Sequence, residues 1–281
     1  MSARAGLRMT LVDLELPSWN DVQQRDRLLG TSLTGVKDAF SAVSYNKRKQ
    51  NFILQLLREA ANEEAVRYAA ELRVNSPLLV TTVKPEGTLS LVAGGVSAGI
   101  HMSHSPYYIR RMRISSIDPL VKVIQDLDWP ISPEVGTPGD NFEEQMNNAR
   151  TLVIDFPVKA SSKDTKNTVS LADQMDTYFQ FQENYTDHNT SITMTVKENE
   201  WDLAKELAWK NWDKWMGASF LSHDGGTYEL APYEEITEEE YNNISASFKD
   251  FDPSLLYKYE KVEVETELID EACESGVCPI R

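Results

Sequence analysis

Apolar residues recur at helical spacing over residues 46–74, at Phe52, Ile53, Leu56, Leu57, Ala60, Ala61, Val66 and Ala69, and predict one long helix. A β-rich run over 78–83 follows and is stopped by Lys84, Pro85 and Gly87. Residues 151–158 read as a second strand, ending near Pro157, and residues 170–183 as a helix. Over 190–196, Ile192, Met194 and Val196 alternate with Ser and Thr, which predicts a third strand. Residues 198–215 read as an amphipathic helix with Trp201, Ala204, Ala208, Trp212 and Trp215 on one face. That spacing predicts core packing rather than a base-stacking surface. A fourth strand is expected over 217–221. Strand, helix, strand, helix, strand over 151–221 predicts right-handed crossovers and a parallel sheet covered by helices. No internal repeat or low-complexity linker divides the chain, and residues 262–281 read as a tail after a body of 1–261.

Composition narrows the function classes. With 281 residues, 41% of them hydrophobic, the chain buries a substantial core, as one large domain or two small ones. No run of about 18 apolar residues exists, so no membrane partner is expected. The N-terminal residues lack the apolar stretch of a signal peptide, and the expected location is the cytoplasm, that of the host if the chain is phage-encoded. A formal charge of −16 argues against nucleic acid as a partner, which needs a basic face. It leaves room for a nucleotide, because a few local dipoles and cations hold phosphates inside an acidic protein. His101, His104, His188 and His223 do not fall at metal-ligand spacing, so no metal site is expected.

Two segments carry candidate chemistry. The only cysteines, Cys273 and Cys278, lie within the last nine residues, with Gly276 between them and an acidic stretch before them. Four intervening residues leave enough chain to close a disulfide. An exposed terminal dithiol suits the carriage of two electrons better than the stapling of a fold. An incidental pair of surface thiols is the plainer reading. The second segment is Thr81-Thr-Val-Lys-Pro-Glu-Gly-Thr-Leu-Ser90, where a strand ends at a proline and a loop of small residues leads into a weakly helical stretch. Strand, small-residue loop and helix start make a natural anion site. An ordinary turn is the alternative.

Several segments together resemble one family. Thr82-Val-Lys-Pro-Glu-Gly-Thr-Leu-Ser-Leu-Val-Ala-Gly94 and Gly95-Val-Ser-Ala-Gly-Ile-His101 look like the phosphate-loop region of adenosylcobalamin-dependent (class II) ribonucleotide reductases, of the monomeric type that reduces ribonucleoside triphosphates. Arg25-Asp-Arg-Leu-Leu-Gly-Thr-Ser-Leu-Thr-Gly35, Asn189-Thr-Ser-Ile-Thr193 and the terminal cysteine pair look like the same family, in the same order. The resemblance covers about residues 17–281 and only the C-terminal part of the family's sequence.

The resemblance implies an α/β fold, the C-terminal half-barrel of the family's ten-stranded α/β barrel, with a flexible redox tail. It implies that Pro85, Glu86, Gly87, Thr88, Leu89 and Ser90 bind the phosphates of a ribonucleoside triphosphate substrate. It also implies that Cys273 and Cys278 re-reduce an active-site disulfide and are themselves reduced by a thioredoxin-like protein. Glu86 is an acid where an anion site favours a hydroxyl, and the triphosphate-using enzymes are expected to share it. The family's radical cysteine and substrate-reducing pair have no counterpart, since no cysteine lies outside the tail. The chain is therefore expected to be inactive alone and to work with an N-terminal half of the reductase and adenosylcobalamin, as one product of a split gene. A remnant acting as a non-catalytic redox or interaction protein is the other reading.

Overall fold

A computed structural model describes residues 1–162, 164–223 and 229–260. In chain order the elements are α1 (Ser2–Met9), α2 (Pro17–Asp26), α3 (Val36–Val43), α4 (Lys47–Leu72), α5 (Leu89–Val92), β1 (Tyr107–Ser115), α6 (Pro119–Asp126), β2 (Ile131–Pro133), α7 (Phe142–Asn148), β3 (Thr151–Lys159), α8 (Leu171–Asn184), β4 (Thr193–Val196), α9 (Trp201–Lys210), β5 (Ser219–Ser222), β6 (Tyr233–Glu235) and α10 (Glu238–Ser247). They form two compact units, Met1–Ser103 with Ala160–Asp224, and His104–Lys159 with Gly225–Arg281. The expected tail boundary at 261/262 and both tail cysteines lie outside the described residues.

In the first unit the long expected helix is α4. It starts where the Asn46 side chain accepts the Lys49 amide at 3.0 Å, and it stops at Arg73, whose φ of 58° is left-handed. Its buried positions are Leu54, Ala65, Tyr68 and Ala69. Phe52, Leu56, Leu57 and Val66, whose spacing predicts the helix, are exposed. The packed stripe is set by small residues. Ala65 and Ala69 share a core cluster with Ala3 and Leu7 of α1, Leu29, Tyr68 and Val80.

Four extended segments run side by side in this unit. The Leu29 and Thr31 amides donate to the Leu79 and Val80 carbonyls, and the Thr82 amide returns to Thr31, at 2.9–3.0 Å. The Val83 amide donates to the Asn189 carbonyl, and Ser191 donates back to Val83. β4 pairs with β5 in parallel, from Thr193 opposite Ser219 to Val196 opposite Ser222. The bridges Thr31–Thr81 and Val83–Thr190 are parallel as well. The strand residues alternate, so Val83, Ile192, Met194 and Val196 face a core shared with Leu171, Met175, Tyr178 and Phe181 of α8. A capping box opens α8, with Ser170 and Asp173 each accepting the other's amide.

The second unit holds an antiparallel sheet of order β2-β3-β1-β6. Residues 151–158 form the expected strand, but β3 pairs antiparallel with β1 and β2. The parallel sheet expected across 151–221 is thus corrected: its parallel part is the array that includes β4 and β5, and β3 belongs elsewhere. The physical reason is β1, whose sequence Tyr-Tyr-Ile-Arg-Arg-Met-Arg-Ile-Ser carries arginines where a strand pattern would show apolar residues. Arg111 is neutralised inside the sheet by Asp155 and Glu234, and Arg113 by Glu134. Pro157 lies beyond the residues that pair with β2, where β3 has an open side.

The tryptophan face is also corrected. Trp201 and Trp212 are 37% and 70% exposed. The helix ends at Lys210 and continues as a single 3₁₀ turn over Trp212–Lys214, which rotates Trp212 off the packed stripe. Ala204 is buried and Trp215 packs as expected, stacked on Tyr178 at 4.8 Å between ring centres. No described helix is long and apolar enough to cross a membrane.

Candidate functional site

The segment 84–90 leaves the extended run 79–83 and is held at its start from two sides. The Lys84 amide donates to Ser32 Oγ at 2.9 Å, and the Thr82 hydroxyl donates to the Asn189 carbonyl at 2.8 Å. Glu86 then takes a left-handed φ of 55°, unusual for a residue with a side chain. Its carbonyl accepts the Ser90 amide at 2.9 Å, and the Thr88 carbonyl accepts that of Leu91 at 3.1 Å, which closes the turn into α5. The Ser90 hydroxyl donates to the Gly87 carbonyl at 3.1 Å, and the residue is 3% exposed.

This leaves a distinct set of donors. The amides of Gly87, Thr88 and Leu89 and the Thr88 hydroxyl have no acceptor among the described residues. Thr88 and Leu89 are exposed and Gly87 is half-buried. A Cβ built on Gly87 would meet nothing within 4 Å, so the fold does not itself require a glycine there, and the space in front of it is open. Of the six residues expected at the site, Gly87, Thr88 and Leu89 hold the donors without an acceptor among the described residues. Pro85 and Glu86 shape the turn, and Ser90 braces it from within.

Three features beneath the loop were not read from sequence. The first is Gly99, at φ +55°. A Cβ there would lie 2.7 Å from the Lys84 carbonyl oxygen and 3.3 Å from that of Pro85. The second is the 30–38 segment. The Thr34 hydroxyl accepts the Gly99 amide at 3.1 Å and donates to the Ser97 carbonyl at 3.3 Å, while Asp38 accepts the Ser97 amide at 2.7 Å. The third is Asp187. Its carboxylate accepts the amides of Val80 and Thr81 at 3.1 Å each, Nε and Nη2 of Arg58 at 2.9 and 2.6 Å, and the Asn62 amide at 3.2 Å. Burial alone would raise its pKa. The amides of Thr81 and Val80, with Arg58 and Asn62, outweigh burial and hold it down to about 2. These features depend on backbone approach between distant segments. Thr34 and Gly99 fall inside the family-like segments Arg25–Gly35 and Gly95–His101, but no role was read for either residue, and Asp187 lies just before Asn189–Thr193.

His101 lies in a cleft with Ile100, Met102, Lys166, Gln174, Ile192, Thr193 and Thr195. Its Nε2 accepts the Thr193 amide at 3.0 Å, so Nδ1 carries the proton donated to the Ala98 carbonyl at 3.0 Å. Burial pushes the imidazole pKa down, which favours this neutral form. Both ring nitrogens are spent on backbone, so His101 is a structural tie. The cleft encloses about 10 Å³, close to what one water needs. Neither a corrinoid nor a nucleotide fits in it. Among the described residues no group of three or more His, Cys, Asp or Glu could hold a metal ion.

The fold recurs in solved proteins. The chain superposes on a B12-dependent (class II) ribonucleotide reductase with a TM-score of 0.78 over 91% of its length and 38% of that chain, at 23% identity. It superposes on the alpha subunit of the class Id ribonucleotide reductase of Actinobacillus ureae with a TM-score of 0.51 over 79% of its length and 44% of that chain, at 14% identity. The fold is thus that of ribonucleotide reductases. Within them, the chain is a homologue of the adenosylcobalamin-dependent ribonucleoside-triphosphate reductases. It is 31% identical over 220 residues to that of Lactobacillus gasseri, covering 76% of this chain and 28% of the relative. It is 27% identical to that of Lactobacillus delbrueckii subsp. bulgaricus over 100% of this chain and 40% of the relative. The chain therefore spans less than half the length of the relatives it matches. No family model matches it.

Proposed function

We propose that this chain supplies the substrate-phosphate loop, at 85–90, of an adenosylcobalamin-dependent ribonucleoside-triphosphate reductase. The observation that carries the reading is the cluster of four donors without an acceptor among the described residues, the amides of Gly87, Thr88 and Leu89 and the Thr88 hydroxyl, on a turn locked from behind. Donors already in place bind a phosphate without a cost of reorganisation. Glu86 turns its backbone, through its left-handed φ, so that its carbonyl closes the turn. The parallel array 29–31, 79–83, 189–196 and 219–222 supports a half-barrel whose other half is the partner, an N-terminal half supplied by the part of the relatives' length that this chain does not span.

The remaining chemistry is divided between that part and the tail. Removal of the ribose 2′-hydroxyl oxidises a thiol pair to a disulfide in the partner half. A thiolate from Cys273 or Cys278 attacks that disulfide, and the second tail thiol resolves the mixed disulfide. The active-site pair leaves reduced and the tail leaves as a disulfide. A thioredoxin-like dithiol then restores the tail with two electrons and two protons. The relatives depend on adenosylcobalamin by name, and the complete reductase is proposed to share that cofactor. The cleft at His101 does not fit a corrinoid, and no residue of this chain is assigned to it.

Thr88→Ala in the complete reductase tests the loop. The lost hydrogen bond to a charged phosphate is worth about 1–3 kcal/mol and should appear as a raised KM for the nucleoside triphosphate, with kcat little changed. An unchanged KM removes the loop from the substrate site.

A further inference from the structure

The donors at 87–89 bind a phosphate only if the loop start is held where it is, and nothing within the loop fixes that position. Glu86 and Ser90 tie the turn to itself. The Lys84 amide's bond to Ser32 Oγ, at 2.9 Å, ties the start on one side, and the segment beneath limits how deep it sits. Gly99 lies so close to the Lys84 and Pro85 carbonyl oxygens that a Cβ would fall 2.7 and 3.3 Å from them. Real Cβ atoms do not approach backbone oxygens to 2.7 Å, so the loop start and Gly99 share one seat.

Gly99 is itself held by one side chain. The Thr34 hydroxyl accepts the Gly99 amide at 3.1 Å and donates onward to the Ser97 carbonyl at 3.3 Å. Ser97 is held twice more, by Gly35 donating its amide to the Ser97 carbonyl at 2.8 Å and by Asp38 accepting the Ser97 amide at 2.7 Å. Gly35 sits at φ +68° with a would-be Cβ 2.9 Å from Val96, so this segment also has no slack. Thr34 is the link whose loss frees Gly99 while Ser97 remains tied.

We infer that Thr34 is a positioning residue for the phosphate loop: through Gly99 it sets where the Lys84–Pro85 carbonyls, and hence the amides of Gly87, Thr88 and Leu89, present themselves to a triphosphate. This rests on the loop being the phosphate site. Thr34 touches neither the ligand nor the loop donors and acts only through Gly99. A purely structural Thr34 would alter stability and leave affinity alone.

The test uses the full chain, ¹⁵N-labelled and titrated with inorganic tripolyphosphate. In the wild type the Gly87, Thr88 and Leu89 amide resonances should shift saturably. Thr34→Val keeps the shape and removes the hydroxyl. It should weaken the tripolyphosphate dissociation constant about tenfold, the order of one hydrogen bond. Thr34→Ser keeps the hydroxyl and should stay within about twofold of wild type by the same reasoning. Gly99→Ala should lose binding altogether; should it fail to fold, Thr34→Val carries the test. Leu7→Ala, which removes a core side chain between α1 and α4, should leave the dissociation constant unchanged in folded protein. No shift at these amides in the wild type overturns the loop assignment itself. Wild-type binding retained in Thr34→Val overturns the positioning role alone. Equal weakening in Thr34→Ser or in Leu7→Ala does the same, because the hydroxyl would then not be the cause.

Discussion

Asp187 ties the extended run that leads into the loop, through the amides of Val80 and Thr81, and the structure sets the size of its effect. The side chain is 11% exposed and accepts the amides of Val80 and Thr81, themselves 1% and 0% exposed. Asp187→Ala leaves both amides buried without an acceptor, at about 1–3 kcal/mol each, and so should cost about 2–6 kcal/mol. Asp187→Asn keeps the shape and removes the charge. A pKa depressed from 3.8 to about 2 corresponds to roughly 2 kcal/mol, at about 1.4 kcal/mol per unit.

The pH dependence follows from that depression. Because the folded-state pKa lies below the unfolded one, the carboxylate's contribution is complete above the unfolded value near 4 and is lost as pH falls through about 2. Urea unfolding of wild type and Asp187→Asn should differ by roughly 2 kcal/mol at pH 7 and by about half of that at pH 3. A gap below about 0.5 kcal/mol at pH 7, the level of an ordinary surface change, would refute the reasoning. A gap that does not shrink with acid would also refute it.

Other outcomes are as definite. Trp215→Ala removes a ring stacked on Tyr178 and the indole bond to the Ala208 carbonyl, and should cost about 3 kcal/mol in a denaturant titration, whereas Trp212→Ala at an exposed site should cost under about 0.5 kcal/mol. Ser90→Ala removes the brace to Gly87, so it should speed hydrogen exchange at the turn amides of Ser90 and Leu91 more than Thr88→Ala does. Cys273→Ser or Cys278→Ser in the complete reductase should nearly abolish turnover driven by thioredoxin, while a single turnover by pre-reduced enzyme and turnover driven by dithiothreitol survive; normal thioredoxin-driven turnover in the double variant would remove the tail from the electron path.

What could be read along the chain was what local chemistry determines. The helix α4 announced itself through its spacing, and residues 170–183 read as a helix, whereas the Asn46 cap and the Ser170–Asp173 capping box appear only in the structure. The strand at 151–159 was legible, but its partner was not. β1 lies some forty residues upstream, and its arginines disguise a pattern that only Asp155, Glu134 and Glu234 make bearable. The 3₁₀ turn at Trp212 was hidden because a periodicity count assumes the helix continues. At the site, the loop's place and its small residues were legible. The inward turn of Ser90 was not, because the local turn alone decides where its hydroxyl points, and the contact of Thr34 with Gly99 was not, because it joins segments some sixty residues apart.

The central claim is that this chain is one working part of a ribonucleoside-triphosphate reductase. The most direct measurement is formation of 2′-deoxyribonucleotide from a ribonucleoside triphosphate, with adenosylcobalamin and a dithiol. The 281-residue chain is assayed alone and together with the proposed partner half, the part of its relatives' length that it does not span. The account predicts product only when both are present, and a higher KM when the chain carries Thr88→Ala. Product from the rigorously purified chain alone, or none from the combination, would contradict it.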